Sequence, residues 1–455
     1  MSATTLKENK MGTMPVGKLL ANMALPMIIS MLVQALYNVV DSIYVSQISE
    51  SAVTALGLAF PVQNMQIAFA SGTAVGVNSL LSKSLGQKNQ DQANHAAGNG
   101  ITMMLMYSLV FMMFGIFFAR PYFALQSSVA ETVEGGTTYV QICCIFTVGL
   151  FVQILGERLL QSTGRTIFSM IAQGVGAIVN IILDPIFIHG WFGLPAMGVA
   201  GAAIATVVGQ WCGAGLAIYF NLKHNPDIRF SFKCLKLRKM TMGPILAVGI
   251  PATIMIGIGS LMNFGMNQIL QSFNETATGV FGIYYKLQSF FFMPVLGMNN
   301  AVISIVAFNY GAQRPDRMIK TLKIAVCAAL ALMTAGLLVF RFAPNTLLGM
   351  FNPTEEFLVL GAGALRTISL HFPIAAICII LGATFQALGN GIYSSITSLC
   401  RQLVVLLPAA FLLSLSGDVN NVWWAFPIAE IASGLITVYL FSKLYRKKIQ
   451  PMYNR

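Results

Sequence analysis

Four polar side chains lie on one face of the first long apolar segment of the chain. Their spacing of i, i+3, i+4 and i+7 is that of residues sharing one face of a helix. A carboxylate in such a segment is costly in lipid and marks a functional site by default. The alternative is hydrogen bonding between helices, with the aspartate near the membrane surface. The residues, predicted to bind substrate, are Gln34, Tyr37, Asn38 and Asp41.

A second polar group follows in the fifth and sixth apolar segments. Asn180 and Asp184 are one helical turn apart on one face, and Thr206 lies in the next segment. Pro185 is expected to disfavour regular helix at the aspartate before it. Two aspartates brought together in a low dielectric cannot both ionise cheaply, so a proton or a cation must neutralise the pair. The predicted ion- or proton-coupling residues are Asp41, Asn180, Asp184 and Thr206.

The first three of these coupling residues, Asp41, Asn180 and Asp184, are also the predicted ligands if the coupling ion is sodium. Carboxylate and amide oxygens are hard ligands that suit such an ion. A structural role in hydrogen bonding between helices is again the alternative. The residue types alone do not distinguish a proton from sodium, so both ions remain open.

Twelve long apolar segments position these residues, and each is long enough to cross a membrane as a helix. A spanning helix needs about 20 apolar residues, and the longer segments are predicted to be tilted or kinked. The first segment is too long for the apolar core of a signal peptide and is expected to remain as a span. The predicted spans are 18–46, 52–82, 93–118, 137–163, 167–190, 196–221, 244–272, 277–308, 318–340, 356–388, 391–415 and 420–443.

Charged residues are scarce and unevenly distributed. They make up 9% of the chain, whereas soluble domains carry about 25%, so a multi-pass membrane protein is predicted. The net charge is +12, and 22 of the 27 Lys and Arg residues fall on one side of the predicted topology. This positive-inside pattern predicts that both termini are cytoplasmic. No basic stripe indicates nucleic acid, and the short loops favour the plasma (inner) membrane of a prokaryote.

The chain repeats itself at a constant offset of 225 residues. Between positions 26 and 91, 13 of 66 residues are identical to the residue 225 positions later, without a gap. Because this offset spans six helices, the halves share one membrane orientation and form a parallel repeat. The coupling ion is expected in the N-terminal half, because the aspartates Asp41 and Asp184 have no acidic equivalent in the C-terminal half. The residues equivalent to Asp41, Asn180 and Asp184 are Met266, Val405 and Ala409.

The sequence contains none of the residue patterns expected of an enzyme. It has no P-loop, HExxH or GxSxG motif, its seven cysteines form no CxxC pair, and its four histidines are far apart. The cysteines are interpreted as small packing residues in apolar segments. No enzymatic activity and no cofactor are therefore predicted, apart from H⁺ or Na⁺ as a coupling ion.

Other polar residues within the apolar segments favour structural roles. Glu157 and Arg158 are predicted to pair near the cytoplasmic end of the fourth span, with a substrate contact as the alternative. Glu430 in the twelfth span and Arg401 in the eleventh are predicted to pair across helices. His371 in the tenth span is interpreted as a hydrogen-bonded polar residue, with a proton relay as the alternative.

Several segments together resemble the multidrug and toxic compound extrusion (MATE) transporters. Each motif is weak alone, but their order, the twelve spans and the repeat make the resemblance specific, and it covers nearly the whole chain. The segments are ALP (24–26), QALYNVVDSIYVS (34–46), GQKNQDQA (86–93), LLQSTGRTIFSMIAQGVGAIVNIILDPIFI (159–188), GVAGAAIAT (198–206) and FQALGN (385–390).

The resemblance implies export of organic cations in exchange for protons or sodium. It also implies that the seven polar residues named above match the N-terminal polar site of the family's DinF-like branch. NorM-like members carry acidic residues in the seventh and tenth helices. Here the seventh segment has none, and the tenth carries Arg366 and His371. This departure favours the DinF-like branch over the NorM-like one.

The predicted fold is an all-α membrane protein with twelve helices in two six-helix lobes. Its boundaries are a tail at 1–17, a lobe at 18–221, a basic linker at 222–243, a lobe at 244–445 and a tail at 446–455. The predicted function is efflux of drug-like organic cations by alternating access, with the chain expected to be a monomer in the bilayer. The alternative is a flippase for a lipid-linked saccharide, for which Arg366 and Lys286 are the candidate cavity cations. An integral membrane enzyme is the least favoured class.

Overall fold

Helices form nearly every regular element of the chain, because a helix satisfies its own backbone hydrogen bonds as a lipid environment requires. The structure, a computed structural model, describes residues 9–351 and 354–454, without the side chains of Asn38, Val39, Asp41, Ser42, Ser46, Glu50 and Asn454. Over these described ranges the structure contains helices and no β-strand.

The first half of the chain contains nine α-helices, two of which are single short turns next to longer helices. They are α1 (Lys10–Thr13), α2 (Val16–Ser46), α3 (Glu50–Gly86), α4 (Gln90–Phe117), α5 (Ala119–Ala124), α6 (Ala130–Ile145), α7 (Val148–Ser162), α8 (Thr166–His189) and α9 (Gly198–His224). Short 3₁₀ turns follow at Trp191–Gly193 and Phe232–Leu235.

The second half repeats the long helices in the same order, with more interruptions. They are α10 (Lys239–Gln271), α11 (Glu275–Gly311), α12 (Pro315–Phe342), α13 (Pro344–Gly349), α14 (Glu355–Ile368), α15 (Phe372–Ala387), α16 (Gly391–Leu399), α17 (Leu407–Ser414), α18 (Val419–Val422) and α19 (Ala425–Leu444). A 3₁₀ turn at Ser369–His371 separates α14 from α15, and a π-helical segment at Cys400–Leu406 separates α16 from α17.

The predicted twelve-span architecture is confirmed. Within the described chain, eleven helical segments are long and apolar enough to cross a membrane, and α6 with α7 makes a twelfth when the bent pair counts as one. This fourth span was predicted as one segment, but its two helices are bent by 50°. Phe146 lies at the bend with a non-helical ψ of 15°, and its carbonyl accepts a hydrogen bond from Trp211 Nε1 at 3.2 Å.

The distribution of side chains between surface and interior is reversed relative to a soluble protein. Large apolar side chains such as Leu109, Val110 and Leu435 are 55%, 65% and 71% exposed. Polar side chains such as Asn78 and Asn99 are completely buried. This arrangement suits a lipid environment, in which apolar surface costs nothing and polar groups must bond within the protein.

The 225-residue repeat builds the interface between the two lobes, which consist of the first six and the last six spans. A Cβ on Gly86 would lie 2.0 Å from the Phe308 carbonyl oxygen, and one on Gly311 would lie 2.1 Å from that of Lys83. Gly311 and Phe308 are the repeat equivalents of Gly86 and Lys83. The same close approach therefore occurs twice about a pseudo-twofold axis, and only glycine fits it.

This glycine contact lies at the ends of α3 and α11 that adjoin basic loops. A second equivalent pair lies deeper in the interface, where Gly72 meets Thr253 of α10 and Gly297 meets Ile28 of α2. The positive-inside rule predicts that the basic loops are on the cytoplasmic side. The lobes are thus packed against each other at the end predicted to face the cytoplasm.

Buried serines close the same interface with hydrogen bonds. Ser79 Oγ donates to the Gln386 carbonyl at 2.7 Å. Its repeat equivalent, Ser304 Oγ, donates to Asn78 Oδ1 at 3.0 Å, and Ser162 Oγ donates to the same oxygen at 2.8 Å. Each lobe therefore reaches into the other through the same serine position of the repeat.

The segment before the first span lies across both lobes. Asn9 Nδ2 donates to the Thr163 carbonyl at 3.2 Å in the N-lobe. Arg317 of the C-lobe donates through Nη2 to the carbonyls of Met11 at 3.0 Å and Met14 at 2.7 Å. The helix α1 between these contacts therefore links the two lobes on the side of the basic loops.

Candidate functional site

The fifth and sixth spans hold a buried polar pair in the interior of the N-lobe. Asn180 of α8 is 2% exposed, Asp184 one turn later is completely buried, and Thr206 of α9 is 5% exposed. Asn180 Nδ2 donates a hydrogen bond to Thr206 Oγ1 at 3.3 Å. The structure thus brings together two of the predicted coupling residues, with Asp184 on the same face of α8.

Close packing of α8 and α9 makes this contact possible. Gly176 and Gly209 face each other, and a Cβ on Gly209 would lie 2.7 Å from the Gly176 carbonyl oxygen and 3.0 Å from Asn180 Cβ. Small residues let membrane helices approach until short polar side chains meet. Asn180 and Thr206 are short side chains, so their hydrogen bond depends on this approach.

The prediction that Pro185 disturbs the helix at Asp184 is wrong. Helix α8 continues through both residues to His189. In membrane helices a proline is tolerated where packed neighbours compensate for its missing backbone hydrogen bond. Pro185 is itself buried inside the N-lobe, and α2, α3, α10 and α11 also continue through internal prolines.

The polar face of α2 contacts α8 in the part where its side chains are described. Gln34 Oε1 accepts a hydrogen bond from Gln173 Nε2 of α8 at 3.1 Å. Tyr37 is half-buried on the same helix and interacts with the surrounding protein. The side chains of Asn38 and Asp41 lie outside the described residues, so their predicted roles remain predictions.

The backbone nevertheless locates position 41 relative to α8. The contact between Gln34 and Gln173 lies on one side of it, and a ring contact of 6.5 Å between Tyr44 and His189 lies on the other. Position 41 falls between the two contacts on α2, and Asn180 and Asp184 fall between them on α8. The predicted residues of the first and fifth spans therefore lie alongside one another.

The chemistry of this site follows from burial. An isolated carboxylate in an apolar interior is strongly disfavoured, so a proton, a cation or polar partners must compensate for its charge. Asn180 and Thr206 supply an amide and a hydroxyl one turn from Asp184. No group of three His, Cys, Asp or Glu side chains in the described part of the chain is arranged to hold a metal ion. Sodium binding therefore stays a prediction that depends on Asp41.

Glu157 makes a different contact from the one predicted. The two neighbouring charges attract each other without forming a salt bridge: Glu157 Oε1 accepts a hydrogen bond from Gln153 Nε2 at 3.0 Å, and Arg158 Nη1 donates to Gln161 Oε1 at 3.1 Å. Neighbouring residues on a helix point away from each other, whereas residues four apart lie on one face. The i, i+4 spacing of Gln153 and Glu157 was the available signal.

The C-lobe contains a charged cluster, which includes the predicted pair of Glu430 and Arg401. Glu430 is 3% exposed, with Oε1 3.5 Å from Arg401 Nη1 and Oε2 3.4 Å from His371 Nδ1. Tyr284 Oη lies 3.1 Å from the other ring nitrogen of His371, Nε2. The sequence identified the ion pair, but the approach of His371 and Tyr284 from two other spans could not be read from spacing.

The two lobes thus place different chemistry on the same scaffold. The positions equivalent to Asn180 and Asp184 hold Val405 and Ala409. Two six-helix lobes in a parallel repeat, packed together on one side and each with buried polar residues, define a multi-pass membrane transporter. The family of this transporter follows from comparison with known proteins.

The MatE family model matches the chain twice, over residues 26–186 and 251–412. The two matches start 225 residues apart, as the internal repeat does, and together cover more than half of the chain. The chain belongs to the MatE family of transporters and is not an enzyme. Two similar curated proteins are "Multidrug export protein MepA" of Staphylococcus haemolyticus and "FAD transporter" of Shewanella oneidensis. The first is 24% identical over 94% of this chain and 93% of its own length, and the second is 25% identical over 94% and 95%.

Solved structures show the same fold. One is described as an "Outward-facing conformation of a multidrug resistance MATE family transporter of the MOP superfamily", with TM-score 0.91, 23% identity, and coverage of 99% of this chain and 100% of that one. A MOP superfamily transporter from Pyrococcus furiosus, described as having "Reverse polarity of binding pocket", has TM-score 0.90 and 24% identity, with 99% of both chains covered.

Proposed function

We propose that this protein exports drug-like organic cations in exchange for protons or sodium. One observation carries the proposal. A carboxylate, Asp184, is completely buried in the N-lobe one turn from the Asn180–Thr206 hydrogen bond, and the equivalent C-lobe position is an alanine. A scaffold role would serve both lobes equally, whereas a carboxylate kept in one lobe suits binding of a coupling ion.

The proposed roles follow the arrangement of α2, α8 and α9. Asp41 and Asp184 bind the coupling ion, while Asn180 and Thr206 supply further oxygen ligands or orient the carboxylates. Sodium, if it is the ion, binds Asp41, Asn180 and Asp184. Gln34, Tyr37, Asn38 and Asp41 contact the substrate, because they share the face of α2 that leads to the aspartates.

Exchange follows from competition for the same negative charge. Ionised aspartates attract a cationic substrate, and uptake of a proton or sodium neutralises them and releases it. The lobes pack together at the cytoplasmic-predicted end through Gly86 and Gly311, which corresponds to a state open toward the opposite side. Opening this contact would give the inward-facing state.

The proposed cellular setting is the plasma (inner) membrane, with both termini in the cytoplasm. The N-terminal lobe is assigned to 18–221 and the C-terminal lobe to 244–445, joined by the basic linker 222–243. This linker is held against α4, where Asn99 Nδ2 donates to the carbonyls of Cys234 at 3.0 Å and Lys236 at 3.1 Å. We assign the chain to the DinF-like branch and expect it to act as a monomer.

A second candidate substrate class comes from one relative. The Shewanella oneidensis protein is named a FAD transporter, and a dinucleotide is an anion. The basic residues Arg366 and Lys286, considered in the flippase alternative, would suit such a substrate or a lipid pyrophosphate. Substrate charge therefore distinguishes the two candidates, since a negative cavity favours cations and a positive cavity favours anions.

The test is transport by the purified full-length chain in proteoliposomes. Efflux of ethidium is followed under an imposed proton gradient and, separately, a sodium gradient, and FAD is assayed in parallel. We expect ethidium efflux under at least one gradient. Asp184→Asn should reduce it by at least about tenfold, because the neutral amide cannot bind the coupling ion; this corresponds to about 1.4 kcal/mol.

Glu134→Gln is the matched control, because it removes an exposed carboxylate from α6 of the same lobe and should leave efflux unchanged. Correct insertion of each variant is checked before transport is compared. Transport of FAD without ethidium would replace the cation proposal by the dinucleotide one. Transport of neither substrate by inserted protein would favour lipid-linked substrates.

A further inference from the structure

The C-lobe cluster joins four spans around one carboxylate. Glu430 comes from α19, Arg401 from the π-helical segment of the eleventh span, His371 from the 3₁₀ turn of the tenth, and Tyr284 from α11. Glu430 and His371 are both more than nine-tenths buried, and Tyr284 is completely buried. Polar or charged side chains from four separate elements thus meet at one buried place, although apolar side chains could fill the same space.

Two of these residues occupy interruptions of the α-helix. His371 ends the 3₁₀ turn that divides the tenth span, and Arg401 is the second residue of the π-helical segment in the eleventh. Single π turns and 3₁₀ stretches within helices frequently mark functional sites or hinges. The backbone irregularities and the charged cluster coincide, although neither requires the other.

The surroundings of His371 leave few groups that can set its charge. Tyr284 faces Nε2 and donates its own hydroxyl hydrogen to Gln288. Helix α12 presents the aromatic ring of Phe340 to this region, and Arg366 of α14 is directed away, to the Arg341 carbonyl at 3.4 Å. Cys378 of α15 is a further buried group that interacts with Glu430.

The charge of the cluster therefore depends on the imidazole. Arg401 cannot lose its proton in a protein and already balances Glu430, so a neutral His371 leaves the cluster uncharged. We propose that His371 is a proton-binding site of the C-lobe, in which the imidazole gains and loses a proton beside the Glu430–Arg401 ion pair. Protonation adds one buried positive charge, which the second oxygen of Glu430, 3.4 Å from Nδ1, is placed to receive.

This site deepens the proposed exchange of cations for protons. A proton bound in the C-lobe changes the charge at the interruption of the tenth span, while the N-lobe aspartates bind the coupling ion directly. The effect on transport rests on the proposed function, but proton binding by His371 does not. Direct observation of the imidazole therefore separates the two.

The experiment is a titration of the full-length chain in lipid nanodiscs with histidine labelled by ¹³C at Cε1. The chain has four histidines, so four signals are expected, and His371→Asn assigns one of them. If that variant does not fold, single substitutions of the other three histidines assign it by elimination. The expected result is a change of the His371 signal from the imidazolium to the neutral position as the pH is raised.

Glu430→Gln tests the carboxylate. With glutamine at 430, the imidazole faces only the Arg401 cation, so we expect loss of the pH-dependent change of the His371 signal. A signal that is constant across the pH range in the wild-type chain would overturn the proposal and leave the cluster a structural ion pair. An unchanged titration in Glu430→Gln would overturn the assigned role of Glu430.

Transport gives the second readout. His371→Gln should flatten the dependence of ethidium efflux on pH, whereas His224→Gln, in the last turn of α9, should retain the wild-type pH profile. A titrating His371 in a chain without ethidium efflux would refute the proposed function and keep the proton site. A wild-type pH profile in His371→Gln would show that the site does not act in transport.

Discussion

The N-lobe and the C-lobe are related by the 225-residue repeat, but they surround a buried carboxylate with different groups. In the N-lobe, Asp184 is completely buried one helical turn from Asn180, whose amide donates a hydrogen bond to the Thr206 hydroxyl. In the C-lobe, Glu430 has an arginine on one oxygen and a histidine on the other. The C-lobe carboxylate therefore lies among basic side chains, whereas the polar groups observed beside the N-lobe carboxylate are uncharged.

This difference separates what the repeat preserves from what it does not. The close contacts of Gly86 and Gly311 and the interlobe serines Ser79 and Ser304 occur in both halves, because both lobes must pack against each other. The buried ionisable residues of the two lobes, such as Asp184 and Glu430, do not occupy equivalent positions. We therefore expect conformational change to use the symmetric parts of the molecule and coupling chemistry the asymmetric ones.

The largest effect is expected from Arg401→Met, which removes the cation that balances Glu430. Breaking a buried ion pair by removing one partner costs about 3–5 kcal/mol, because a buried charge is left uncompensated. The apparent melting temperature of the purified chain should fall sharply. The loss should be smaller at acidic pH, where a protonated His371 can take over the balancing charge.

The double substitution Arg401→Met with Glu430→Met is the control, since it removes both charges together. It should recover most of the stability lost in Arg401→Met. Equal melting temperatures for Arg401→Met and the wild-type chain would show that the ion pair is solvated. The C-lobe cluster would then no longer contrast with the N-lobe site.

Valine at Gly86 or at Gly311 tests whether the interface is symmetric. Each Cβ would lie about 2 Å from a carbonyl oxygen of the other lobe, so the close contact between the lobes at these glycines must open. In a chain without native cysteines, a cysteine at Ser304 should react with a membrane-permeant thiol reagent at least about tenfold faster in either variant, equivalent to 1.4 kcal/mol.

The two glycine variants are each other's controls, because the repeat predicts the same effect from either lobe. Gly282→Val is a third variant, since a Cβ there meets no atom within 4 Å, and it should label at the wild-type rate. A large effect from Gly86→Val with none from Gly311→Val would break the pseudo-twofold description of the interface.

Most of the fold could be predicted from the sequence, because lipid imposes simple rules. Apolar length, basic loops and the 225-residue offset predicted twelve spans and two lobes. The sequence could not predict that α8 runs on through Pro185, because the neighbours that tolerate a proline come from other helices. It also could not predict the bend at Phe146, where the freed carbonyl bonds to Trp211 of a distant span.

The candidate sites were predictable only where the spacing along one helix was enough. Asn180 and Asp184 lie on one face as predicted, and Asn180 meets Thr206 across the α8–α9 pair. For Glu157 the prediction gave the neighbouring charge of Arg158 but missed the hydrogen bond from Gln153, four residues earlier on the same face. The approach of His371 to Glu430 joins residues 59 positions apart in sequence, and nothing in their local patterns indicates it.

A smaller effect is expected from Thr206→Val, which removes the hydroxyl that accepts from Asn180. A buried amide left without its partner costs about 1–3 kcal/mol, partly offset if the side chain finds another acceptor. The apparent melting temperature should fall by a few degrees. Ile431→Val, at the equivalent C-lobe position, is the control: this side chain is 51% exposed, so loss of one methylene leaves no cavity and should leave the melting temperature nearly unchanged. A wild-type melting temperature in Thr206→Val would mean that the hydrogen bond contributes little to the N-lobe site.

The smallest effect is expected from a change of Lys10, in the helix α1 that links the two lobes. Lys10 Nζ donates a hydrogen bond to Asn22 Oδ1 of the N-lobe at 2.6 Å. Burial, and secondly the nearby Arg165 charge, lower the pKa of the Lys10 amine below its usual value of 10.5. The folded chain therefore binds this proton more weakly than the unfolded chain does. The stability of the wild type relative to Lys10→Met should then rise as pH increases through the lowered pKa toward 10.5.

Melting temperatures of the two chains, compared at neutral and at alkaline pH, measure this difference, because every other titrating group is common to both. The expected change is less than about 1 kcal/mol, since the amine is partly solvated. If the melting temperature of the wild type relative to Lys10→Met instead falls as pH rises, the predicted direction of the pH dependence is wrong. The ammonium form of Lys10 would then stabilise the folded chain. Helix α1 would in that case contact both lobes through a charged side chain, Lys10 on the N-lobe side and Arg317 on the C-lobe side.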